Sequence, residues 1–76
     1  MPKTFSGKAL IKILSRKFDF YFVSQKGSHV KLRRKIGGKT FTTVVPLHRD
    51  LAPGTFRSVL KLGGLEEDEF WKVVEK

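Results

Sequence analysis

Hydrophobic positions change period several times along this 76-residue chain, and each change marks an element. Leu10, Ile13 and Leu14 recur at helical spacing, with Lys8, Lys12 and Arg16 turned to the other side. Ser6 stands where a side-chain oxygen can cap the first free amides, so a helix is predicted from there to Arg16 or Lys17. The period then shortens. Phe18-Asp19-Phe20-Tyr21-Phe22-Val23-Ser24-Gln25 is aromatic and β-branched and runs into Lys26-Gly27, which predicts a strand over 18–25. A second strand is predicted from His29 to Lys35, then a hairpin turn at Ile36-Gly37-Gly38-Lys39. The third strand, Thr40 to Val45, stops at Pro46, which has no amide hydrogen to give a ladder.

After a connector over 47–52, Pro53 suits the first turn of a helix. Phe56, Val59 and Leu60 form its apolar stripe, and Gly63 or Gly64 ends it. A last helix follows, capped at Glu66. That cap puts Leu65 and Phe70 at staple spacing and Glu69 at the third helical position. Phe70, Val73 and Val74 face inward, with Trp71 at the edge. The order is α-β-β-β-α-α. Three sequential strands joined by short turns make an antiparallel meander, an α+β arrangement with helices on one face and the other open to water.

Length and composition narrow the classes. Residues 1–76 are expected to form one domain, and a chain this short buries only about 60% of its unfolded surface, so the core is small. With no cysteine, neither a disulfide nor a thiolate zinc site is expected. Two histidines with few nearby carboxylates argue against a metal site, and no cofactor is expected. No stretch approaches the roughly 20 apolar residues of a membrane helix, and Met1-Pro2-Lys3-Thr4-Phe5 has no apolar core of signal-peptide length. A soluble cytoplasmic protein without a membrane partner is the resulting expectation. Charge then separates the chain into two parts. Residues 1–65 carry a net +12, residues 66–76 a net −3, for +9 overall. A domain so basic favours polyanions, and nucleic acid is the commonest of these in a cell.

The richest chemistry lies in Gly27-Ser28-His29-Val30-Lys31-Leu32-Arg33-Arg34. A glycine turn delivers a histidine to the start of a strand. Alternation puts His29, Lys31 and Arg33 on one face, and Val30 and Leu32 on the other. RNA cleavage through the neighbouring 2′-hydroxyl needs a group to take that proton, a group to protonate the leaving oxygen, and cations to steady the phosphorus centre. His29 suits either proton transfer, and Lys31 and Arg33 suit the phosphate. The plain alternative is an exposed strand histidine without a task. Lys26, Lys31, Arg33, Arg34, Lys35 and Lys39 cluster around one hairpin and read as a polyanion track or as a solvated face. His48 reads as a partner acid or, more in keeping with a lone loop histidine, as a structural residue. The start of the second helix, with Arg49 and Arg57, offers a weak phosphate site. Tyr21 and Phe41 are suited to base stacking if exposed, but strand aromatics are more often core.

Together these residues resemble a known family. Gly27-Ser28-His29 after an aromatic-rich strand, then Val45-Pro46-Leu47-His48 and Pro53-Gly54-Thr55-Phe56-Arg57-Ser58-Val59-Leu60, are similar to the HicA (YcfA-like) toxins over residues 5 to 75. The resemblance implies a fold like a double-stranded-RNA-binding domain and an mRNA interferase that works without a metal. It places the essential histidine on His29. From the basic hairpin itself, Lys26, Ser28, Lys31, Arg33, Arg34 and Lys39 are expected as RNA contacts. The resemblance also implies mRNA as substrate and a HicB-type antitoxin that masks the active face. The chain departs from the family pattern at Asp19, where glycine is usual; aspartate tolerates a left-handed backbone better than most residues. It departs again at Val30 and at the Glu66 cap. Two rivals share much of this pattern: a non-catalytic RNA-binding module, and a protein-binding domain whose charge meets an acidic partner.

Overall fold

Ser6 opens the first helix as expected, its Oγ accepting the amide of Ala9 at 3.0 Å, in a computed structural model that describes residues 5–75. The elements are α1 (Gly7–Lys17), β1 (Tyr21–Lys26), β2 (His29–Ile36), β3 (Lys39–Pro46), α2 (Pro53–Leu62) and α3 (Glu67–Val74). The three strands form one antiparallel sheet in the order β1-β2-β3. Residues buried from both helices and strands lie on one side of it, and the chain has the α+β order and layering of a double-stranded-RNA-binding-domain-like fold. Met1 to Thr4 and Lys76 lie outside the described residues.

The first strand begins later than its composition suggests. The amides of Phe18 and Phe20 both close on the Leu14 carbonyl, at 3.1 and 3.2 Å, and Asp19 between them has φ 60°. The helix therefore ends in a left-handed residue, a role usually given to glycine. The turn drives Phe18 and Phe20 into the core, and the strand starts only at Tyr21.

The centre is aromatic. Phe70 of α3 is fully buried and meets the rings of Phe5 and Phe18 at 5.8 Å and those of Phe56 and Trp71 at 5.3 Å. Edge-to-face and offset contacts at this spacing add to the area term. Leu65 and Phe70 are both buried on either side of the Glu66 cap, as the staple spacing requires, although Glu66 makes no side-chain capping bond. Gly7 is fixed by close approach. A Cβ there would stand only 1.9 Å from the Pro46 carbonyl oxygen, and the Gly7 amide donates to the His48 carbonyl.

Two buried polar side chains tie α2 to the sheet. The Thr43 hydroxyl donates to the Val59 carbonyl at 2.8 Å. Arg34, only 3% exposed, donates through Nε to the Gly63 carbonyl at 3.0 Å and through Nη2 to the Gly64 carbonyl at 2.9 Å. It lies over the Phe20 ring, 5.0 Å from its centroid. Burial lowers its pKa from the ordinary arginine value, while the charges of Glu69 and Asp19 pull it back up; an arginine stays a cation under such conditions. A cation at the carboxyl end of a helix also complements the helix dipole. The expected RNA contact at Arg34 is thus corrected. Alternation turns this side chain to the helix side, where it serves the fold.

Arg34→Met should therefore cost about 2–3 kcal/mol in urea unfolding, because two charge-assisted bonds vanish and carbonyls lose their donor. Lys35→Met, at the exposed neighbour, should stay within about 0.5 kcal/mol. Equal stability of the two variants would contradict the assignment.

Candidate nucleic-acid interface

The site begins at a two-residue turn. Gly27 and Ser28 join β1 to β2, and Gly27 has φ 59°. Glycine first in a two-residue loop is the pattern of a II′ hairpin turn, whose twist matches the strands. The Gln25 side chain donates to the Gly27 carbonyl at 3.1 Å, and the Ser28 carbonyl accepts the Leu47 amide at 2.6 Å. The turn is thus held from both sides. His29 is the next residue and is exposed.

Register assembles the rest. Lys26 pairs with His29, Ser24 with Lys31 and Tyr21 with Arg33 across the β1–β2 ladder. Pro46, Val44 and Thr42 take the corresponding places on β3. Directly opposed residues share a face, so the open face holds three rows: Lys26–His29–Pro46, Ser24–Lys31–Val44 and Tyr21–Arg33–Thr42. Neighbouring rows are about 6.6 Å apart, so the site is about 13 Å long. A register shift between Phe22 and Ser24 makes this possible. Without that bulge, strict alternation would put Tyr21 and Lys26 on opposite faces. The Arg33 Nε donates to the Thr42 hydroxyl at 2.9 Å, which leaves four further N–H donors on the guanidinium.

The residues singled out in the sequence divide accordingly. His29, Lys26, Lys31 and Arg33 come together, with Ser28 exposed in the adjoining turn. Arg34 leaves for the helix side. Lys39 is exposed but pairs with Ile36 at the far end of the β2–β3 hairpin, in register with the face that carries Arg34. Lys35 continues the open face next to Thr40. Tyr21, read as core, is 46% exposed on the open face. The bulge that places it has no signature in residue type. Phe41 is half-buried on the helix side, against Gly64. His48 is exposed and its carbonyl accepts the Gly7 amide, as a structural connector residue does. Arg57 pairs with Glu67 of α3 at 3.6 Å, rather than serving the start of its own helix. A groove of about 550 Å³ lined by Phe41, Arg57, Lys61 and Leu65 lies on the helix side, away from His29.

Among the described residues no cluster of three or more His, Cys, Asp or Glu could hold a metal ion, and no helix is long and apolar enough to cross a membrane. The model of the HicA toxin of bacterial toxin–antitoxin systems matches residues 7–65. The chain belongs to the HicA toxin family. It is therefore the toxin of a toxin–antitoxin pair, with a cognate antitoxin as its partner. The family span runs from the first residue of α1 to Leu65, so α3 and its core ring Phe70 lie beyond it. Comparison with curated proteins and with solved structures returned no match.

Replacing Gly27 tests the presentation of His29. Gly27→Val should destabilise by about 1–2 kcal/mol in thermal or urea unfolding, and Gly27→Asn by less, because asparagine tolerates a positive φ better than a β-branched residue. Open space surrounds the position, so only the backbone conformation is tested. A well-tolerated valine would show that the turn does not need its left-handed residue.

Proposed function

We propose that this HicA family member is an mRNA interferase, an endoribonuclease that uses His29 as general acid or base and needs no metal. The observation that carries this reading is an exposed imidazole at the head of a cationic strand face, in a chain of the HicA toxin family. The 2′-oxygen of a ribose attacks the adjacent phosphorus. The bond to the 5′-oxygen breaks, leaving a 2′,3′-cyclic phosphate and a 5′-hydroxyl. His29 takes the proton of the 2′-hydroxyl or gives one to the departing 5′-oxygen, and solvent water makes the other transfer, so that one proton leaves the 2′-oxygen and one arrives at the 5′-oxygen. Lys31, one row from His29, offsets charge that builds on the phosphate oxygens in the transition state, and Arg33, a row farther along the face, holds a neighbouring phosphate. Lys26 and Ser28 flank the reacting linkage. The partner is a HicB-type antitoxin that covers the open face, where a basic surface favours an acidic counterpart. The protein acts in the cytoplasm, where its substrate is.

The test is cleavage of a single-stranded RNA in the presence of chelator. Fragments with cyclic phosphate ends are expected, and replacing the ribose at the cleaved position by 2′-deoxyribose should stop cleavage there. His48→Ala should cut within about twofold of the parent, as an exposed residue outside the machinery does. Tight RNA binding without fragments would instead favour the non-catalytic module. Cleavage of the deoxy-substituted linkage would rule out the 2′-hydroxyl route.

A further inference from the structure

Tyr21 is the only Phe, Tyr or Trp that the strands turn to the open face among the described residues. The residue is 46% exposed, and its cross-strand partner is Arg33. Arg33 is not a free surface cation: Thr42, next in the same row, accepts its Nε at 2.9 Å. A tethered guanidinium has already lost part of its rotamer freedom, so less is lost when it binds. The row therefore sets a flat apolar ring beside a pre-positioned cation, two same-face steps and about 13 Å from His29.

We propose that the Tyr21–Arg33–Thr42 row is a base-binding subsite, in which Tyr21 stacks on an unpaired base near, but not at, the cleaved linkage. Arg33, steadied by Thr42, contacts the phosphate beside that base. The subsite rests on the RNA-cleaving reading of the open face and deepens it. Duplex bases are stacked on one another and offer no free face, so such a subsite selects single-stranded RNA. Stacking is tolerant of base identity, because every base has a π-face. The row thus sets where along a strand the protein grips more than which sequence it prefers.

The experiment measures binding of a fluorescent 2′-O-methyl oligonucleotide, which its own 2′-oxygen cannot cleave, by the full chain at fixed salt. Tyr21→Ala should weaken binding about 5- to 150-fold, and Tyr21→Leu, which keeps bulk in the strand, should lose as much. Tyr21→Phe, which keeps the ring, should stay within about twofold. On an abasic backbone of equal length and charge, the parent and Tyr21→Ala should bind alike, because the phosphate contacts remain. Parental affinity in Tyr21→Ala, or an equal loss on the abasic backbone, would overturn the subsite while leaving the cleavage reading intact. A parent chain that binds no oligonucleotide would overturn both.

Discussion

Successive side chains of a β-strand point to opposite faces, and in β2 that rule carries both the core and the site. The strand is central, with a ladder on each side. Val30 and Leu32 are 4% and 0% exposed, while His29 and Lys31 between and before them face water. A slip of one residue would bury His29, Lys31 and Arg33 and expose the apolar residues that the helices cover. Burying unpaired cations costs far more than any strand pairing returns. Two-residue turns at both ends hold the register that prevents it.

The same rule removes Arg34 from the surface. Six cations crowd this hairpin in the sequence, and counting them suggests one continuous track. The fold sorts them instead. Arg34 ties the end of α2 to the sheet through two carbonyls and a ring, so one arginine of an adjacent pair binds the scaffold while the other faces outward. The residues beyond the family span also serve the scaffold. Helix α3 adds Phe70 to the aromatic centre, and its Glu69 charge acts on Arg34. The acidic tail thus has an internal electrostatic role alongside its contribution to net charge.

Much of this was legible in the chain. The Ser6 cap, the glycine turns, Pro53 at a helix start and the Leu65–Phe70 staple are local signals, and each corresponds to an observed feature. The exposed positions of His29 and Lys31 followed from alternation alone. The start of β1 did not follow, because Phe18 and Phe20 are as suited to a strand as to a buried turn, and the left-handed Asp19 decides between them. The bulge in β1 was equally hidden. It depends on how two strands meet, which no single segment encodes, and it moved Tyr21 from an expected core position to the open face. The helix-side role of Arg34 is not legible locally, because its partners, the carbonyls of Gly63 and Gly64, lie some thirty residues away.

The division between a chemical face and a structural face of β2 is tested most directly by RNA cleavage and urea unfolding of a single variant, His29→Ala. Cleavage should fall by about 10²- to 10⁴-fold, the usual worth of a positioned acid or base. Stability should stay within about 0.5 kcal/mol of the parent, because the ring makes no contact the core needs. Parental cleavage, or a loss of cleavage that merely tracks a loss of folded protein, would contradict a catalytic imidazole on the open face.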